Sequence, residues 1–101
     1  MQLKGAAENA QSKRAGTYIL GPSLNQINDN VHWIQEEGTN AIWYDKEHKT
    51  WRIGPVDELG GTRSVLKTSD DAIGPHVAKA WKYYENGWIE TTDLVKLSGI
   101  W

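Results

Sequence analysis

The stretch that most restricts how this chain can fold runs from Asn40 to Pro55, NAIWYDKEHKTWRIGP. Two apolar-aromatic arms, AIWYD and TWRIG, flank the charged residues Lys46, Glu47 and His48. This is the pattern of a β-hairpin, with side chains alternating between two faces. A turn centred on Glu47 sets Trp43 opposite Trp51 and Tyr44 opposite Thr50. Ala41, Trp43, Trp51 and Ile53 then share one face, and Ile42, Tyr44, Thr50 and Arg52 the other. A cross-strand Trp pair is a strong sheet contact. The chain leans on such contacts, with six Trp and no Phe in 101 residues.

A second hairpin follows the same plan. Ala80-Trp-Lys-Tyr-Tyr84 and Trp88-Ile-Glu-Thr-Thr92 flank Glu85-Asn86-Gly87. Asn-Gly favours a type I′ turn because both residues accept positive φ. That turn sets Tyr84 opposite Ile89 and Tyr83 opposite Glu90, with Trp81, Tyr83 and Trp88 on one face and Tyr84 and Ile89 on the other. The two hairpin segments align with one gap, each carrying Trp, a second aromatic, a turn, Trp and Ile. Two copies cannot form a repeat array, so they are expected to pack together.

Shorter strands are expected at Thr17–Leu20, Val31–Gln35, Arg63–Lys67 and, as strand or turn, Asp93–Leu97. The three prolines all follow an apolar residue and Gly, in Leu20-Gly21-Pro22, Ile53-Gly54-Pro55 and Ile73-Gly74-Pro75. Each ends a strand without leaving a backbone donor unmet. Ser23 can cap one helical turn, and VDEL after Pro55 reads as another. The expected fold is all-β: a small antiparallel barrel or sandwich of six to eight short strands with at most one or two helical turns. Residues 1–16, small and polar, are expected as a tail, and residues 17–101 as one domain. Its core is expected to rest on Trp33, Trp43, Trp51, Ile53, Val65 and Leu66. Burying one Trp removes about 150–250 Å² from water.

Net charge is −2, and no basic run exceeds Lys13-Arg14. This speaks against nucleic acid and anionic membranes as partners. There is no cysteine, which excludes disulfides and thiolate-bound zinc. The N-terminus has no apolar signal-peptide core, and no apolar run approaches transmembrane length. A cytoplasmic protein is expected. Oligomeric state is not readable from the sequence.

His32, His48 and His76 show no metal-ligand spacing, and no metal or cofactor is expected. The adjacent acids Glu36-Glu37, Asp57-Glu58 and Asp70-Asp71 lie near turns, where solvated charge explains them. Ser64, Ser69 and Ser98 lie in no nucleophile-elbow setting, and Gly60-Gly61-Thr62 lacks a phosphate loop's lysine. The expectation is therefore a non-catalytic binding or interaction module. A carbohydrate-binding module is the alternative, and a small hydrolase the third reading. Aromatics on both faces of a hairpin require that both faces be covered or that one set be exposed. Trp33, Trp43 and Trp51 suit a core. Tyr44, Trp81, Tyr83 and Trp88 are the candidate binding residues, for a protein or peptide partner or a glycan.

The stretch YDKEHKTWRIGP resembles the second and third strands of a WW domain. The resemblance implies a proline-rich peptide groove from Tyr44, His48 and Trp51. It departs from that family in the spacing from Trp33 and in Gly54 before Pro55. More broadly, WYD at 43–45, WRIG at 51–54 and GWIE at 87–90 resemble short Trp-rich all-β repeats of large multidomain eukaryotic proteins. That resemblance implies an accessory, non-catalytic domain.

Overall fold

The structure is a computed structural model. It describes residues 2–4, 14–21, 30–68, 74–75, 78, 80–84, 87–91 and 96–98. Nine strands are present: β1 (Gln2–Lys4), β2 (Gly16–Leu20), β3 (Trp33–Gln35), β4 (Asn40–Asp45), β5 (Thr50–Pro55), β6 (Leu66–Thr68), β7 (Trp81–Tyr84), β8 (Trp88–Thr91) and β9 (Lys96–Ser98). Val56–Glu58 forms a 3₁₀ turn. All pairings are antiparallel, in the order β8-β7-β6-β5-β4-β3-β2-β1-β9. From β2 to β8 the chain is a simple meander, each strand beside the one before it. The all-β antiparallel class is thus the one expected. The sheet is not closed, since β8 and β9 stand at its two ends.

The N-terminal segment differs from the expected tail. Gln2–Lys4 pairs with both β2 and β9. Leu3 is only 1% exposed. A three-residue strand needs just one apolar side chain to be held in place, and Leu3 provides it. The turn capped by Ser23, His76, the pair Asp70-Asp71, Ser69, Asn86 and Trp101 all lie outside the described residues.

Register corrects both expected hairpins. In the first, Tyr44 pairs with Trp51 and Trp43 with Arg52. The loop is therefore Lys46 to Lys49, one residue longer than expected. Asp45 causes this: its carboxylate accepts the His48 backbone N–H at 3.2 Å and holds the loop. Lys49 completes the reversal at φ 53°. A one-residue slip moves side chains to the other face. Trp43 and Trp51, expected together, point to opposite sides. In the second hairpin Tyr84 pairs with Trp88 and Tyr83 with Ile89, one residue off the register expected. Trp88 leaves the face of Trp81 and Tyr83 and joins Tyr84.

One face carries the core. Leu3, Tyr18, Trp33, Ile42, Trp51, Ile53, Leu66 and Trp81 form one cluster, each 2% exposed or less. They come from seven strands of one sheet, and no helix among the described residues covers them. The sheet must therefore curl around them. Trp33 and Trp51, on β3 and β5, would stand about 9.6 Å apart across flat strands. Their ring centroids lie at 5.9 Å, as on the concave side of a curved sheet. Tyr44 adds a second tilted contact to Trp51 at 5.1 Å. Such pairs contribute about 0.5–1.5 kcal/mol beyond their buried area. Of the expected core residues, Val65 alone is only partly buried.

The opposite face is treated in two ways. Over β4 and β5 the chain from Leu59 to Ser64 folds back across it. Trp43 is fully buried there, and its Nε1–H donates to the Gly61 carbonyl at 3.0 Å. Gly54 permits this approach, because a Cβ at that position would lie 2.9 Å from Ser64 Cα. Over β6 to β8 the same face carries exposed aromatic and charged side chains.

Candidate functional site

On this outer face, directly opposed residues form a row across four strands. Arg52 on β5 pairs with Lys67 on β6, Lys67 with Lys82 on β7, and Lys82 with Glu90 on β8. The row exists because Arg52, Lys67 and Lys82 each alternate with residues of the core face: Ile53, Leu66, and Trp81 and Tyr83. Cβ atoms of opposed residues lie about 4.5–5.5 Å apart, and like charges placed so are unfavourable.

Each cation is handled differently. Arg52 is buried and its Nε–H donates to Asp45 Oδ2 at 2.8 Å, while Nη1 donates to Ser64 Oγ at 3.0 Å. Burial opposes ionisation of the Asp45 carboxyl. Hydrogen bonds from Arg52 and His48 outweigh that and hold it below the usual carboxylate range. His48 Nδ1 lies 2.8 Å from the same Asp45 oxygen. Lys82 Nζ meets Glu90 at 3.7 Å, with the Glu90 side chain 74% exposed. Lys67, between two cations, has no carboxylate partner among the described residues. Its ammonium instead sits 4.2 Å from the centroid of the Trp88 ring, a cation–π contact. Desolvation, with Arg52 and Lys82 nearby, lowers its pKa below the usual lysine value.

Trp88 and Tyr84 form the aromatic end of this surface. Their centroids are 5.6 Å apart with the rings at 75°, edge to face. Tyr84 is 49% exposed and Trp88 36%. Trp33, Trp43, Trp51 and Trp81 are each at most 2% exposed.

The sequence-derived site residues therefore separate. Trp81 is core. Tyr83 is half-buried and packs against the core on the concave face. Tyr44 is half-buried and packs on Trp51. Trp88 alone of the four is exposed, on the opposite face from the other three. The WW-like trio does not converge: Tyr44 and the buried Trp51 face the core, while His48 bonds Asp45 on the outer side. Sequence reasoning missed Lys67, Lys82 and Tyr84. Their alternation with Leu66, Trp81 and Tyr83 was visible, but which strands lie side by side was not.

An open depression of about 430 Å³ lies elsewhere, lined by Ala15, Gly16, Thr17, Gln35, Glu36 and Glu37. None of the predicted site residues lines it. Among the described residues no three His, Cys, Asp or Glu side chains gather as metal ligands, and no helix is long and apolar enough to cross a membrane. His32 is buried, and desolvation lowers its pKa, so the fold favours its neutral ring.

No protein-family model matches this chain. No solved structure matches it either. In sequence it is similar to the coproporphyrin III ferrochelatase of Listeria monocytogenes serovar 1/2a (strain ATCC BAA-679 / EGD-e), 30% identical over 89 residues. The match covers 88% of this chain and 27% of the ferrochelatase, so the chain spans about a quarter of that protein's length.

Proposed function

We propose that this chain is a non-catalytic interaction module that binds a peptide segment of another protein on the outer face of β6 to β8. The observation that carries the reading is the contrast between four buried Trp side chains and the exposed Tyr84–Trp88 pair. A chain short of aliphatic core residues gains most by burying aromatics, and an exposed, ordered Trp is where recognition surfaces concentrate binding energy. The rings meet as a corner, at 75°. A sugar stacks best on rings lying in one plane. A corner of two faces instead accepts an apolar or proline side chain of an extended peptide. The likeness to the ferrochelatase covers 27% of that protein, which is compatible with a module-sized unit.

The test is an NMR spectrum of the indole N–H groups with a soluble paramagnetic agent, followed by a peptide panel. The Trp88 indole broadens, while those of Trp33, Trp43, Trp51 and Trp81 stay sharp. Peptides then shift Trp88 and not the buried four. A Trp88 signal as protected as the others removes the surface on which the reading stands.

A further inference from the structure

We infer that the Lys67–Lys82 pair is a carboxylate-binding site, so that the peptide bound at Tyr84–Trp88 carries an Asp or Glu side chain beside its apolar residue. The inference rests on the peptide-binding reading and adds the ligand's chemistry. The row Arg52–Lys67–Lys82 sets three cations in direct cross-strand register, an arrangement that costs stability unless anions interleave it. Arg52 is satisfied internally by Asp45 at 2.8 Å. Lys82 shares a long contact with Glu90. Among the described residues Lys67 meets the Trp88 ring and no carboxylate, and desolvation, with the cations beside it, weakens its hold on its proton. Opposed Cβ atoms about 4.5–5.5 Å apart let one carboxylate accept from both ammonium groups.

The room is for one carboxylate and not for a polyanion. The third cation of the row is buried and already paired, and the chain as a whole is acidic, at −2. Glu90 shows the chemistry in miniature: a mostly exposed carboxylate already leans on Lys82 from the edge strand. It therefore competes with the ligand. Trp88 couples the two halves of the site, since Lys67 lies over the ring that packs on Tyr84. A peptide that seats an apolar side chain in the corner brings its neighbouring acid over Lys67.

The experiment uses two libraries of end-blocked hexapeptides, identical except that a fixed Glu in one is Gln in the other. Binding is read as the shift of the Trp88 indole resonance. The Glu library binds, and Lys67→Met weakens it on the order of tenfold, the loss of one charge-assisted hydrogen bond. Glu90→Gln strengthens it, by about two- to threefold, by removing the competitor. Lys49→Gln, which changes charge equally in the exposed turn of the first hairpin, leaves it unchanged. If Lys67→Met fails to fold, Lys82→Met carries the same expectation. Equal binding of the Gln library, or undiminished binding by the lysine variants, overturns the carboxylate site while the peptide reading stands. If neither library moves Trp88, or a sulfated oligosaccharide does so alone, the peptide reading falls with it.

Discussion

The two aromatic hairpins share a plan and put it to opposite uses. In β4–β5 the aromatic pair is Tyr44–Trp51, one position in from the Asp45–Thr50 pair that closes the loop, with centroids 5.1 Å apart. In β7–β8 it is Tyr84–Trp88, at 5.6 Å. Both are directly opposed pairs, the second beside its turn and the first one position away from its loop. The first faces the concave core, and Trp51 is 2% exposed; the second faces outward. The other Trp of each hairpin is reversed as well: Trp43 lies on the outer face under the returning chain, and Trp81 lies in the core. The pair itself is therefore neutral as to role. Its face is decided by parity with the core-facing residues of its own strands, Ile42 and Ile53 in the first hairpin, Tyr83 opposite Leu66 in the second.

That contrast breaks most clearly by truncation. Trp51→Ala removes the ring that joins Trp33 and Tyr44, and is expected to cost about 3–5 kcal/mol. Trp88→Ala loses one edge contact and one cation–π contact on a half-open surface, at about 1 kcal/mol. Urea unfolding of both variants checks the gap. Equal losses would mean that the second pair is as structural as the first.

The next largest effect lies in how each hairpin treats its charges. Asp45→Ala leaves the Arg52 guanidinium buried and unpaired, and also frees the turn from its carboxylate. A loss of about 3–5 kcal/mol is expected, read in the same unfolding experiment. Acid should find the same group. The folded Asp45 pKa is depressed, so its stabilisation is complete above the unfolded value of about 4 and is lost as pH falls through the folded one. His32 acts earlier with the same sign. Its folded pKa is lowered, so between that value and about 6.5 the unfolded chain binds more protons and stability falls with pH. A melting temperature that declines in two steps, with the first absent in His32→Gln, is the expected record. A flat profile down to pH 4 would contradict burial of the His32 ring.

Gly54→Ala probes the cover over Trp43. The new methyl meets Ser64 Cα, which is backbone and cannot swing aside. A cost of about 1–3 kcal/mol is expected, with the Trp43 indole N–H resonance moving as its bond to Gly61 lengthens.

Much of this fold was legible beforehand. Period-two alternation marked β4, β5, β7 and β8, and Gly-Pro marked the ends of β2 and β5. What was not legible was register, and with it the faces. Asp45 looked like the last strand residue and is also the group that folds the loop around itself, so Trp43 and Trp51 were expected together and stand apart. Leu3 was unreadable for a different reason: one apolar residue in a polar segment carries no periodicity. The candidate site suffered most, because it is a row across four strands. Arg52, Lys67, Lys82 and Glu90 are scattered over 39 positions of sequence, from 52 to 90, and become neighbours only through pairings that loops of unknown path determine. Of the four aromatics expected at the surface, Trp88 is the exposed one, and it lies on the opposite face from Trp81 and Tyr83.

The smallest expected effect sharpens the comparison furthest. Lys82–Glu90 and Arg52–Asp45 are both Lys/Arg–carboxylate pairs on the same face. The second is buried at 2.8 Å; the first is exposed at 3.7 Å. Glu90→Gln should therefore change stability by no more than about 0.5 kcal/mol, and that small loss should vanish in high salt. If Glu90 is a placeholder for a ligand's acid, near-neutrality in stability is what its position requires. A pair that anchored the fold could not yield its partner to a peptide. A loss above about 1.5 kcal/mol would make Glu90 a structural member of the row, leaving Lys67, of the row's three cations, to receive the carboxylate.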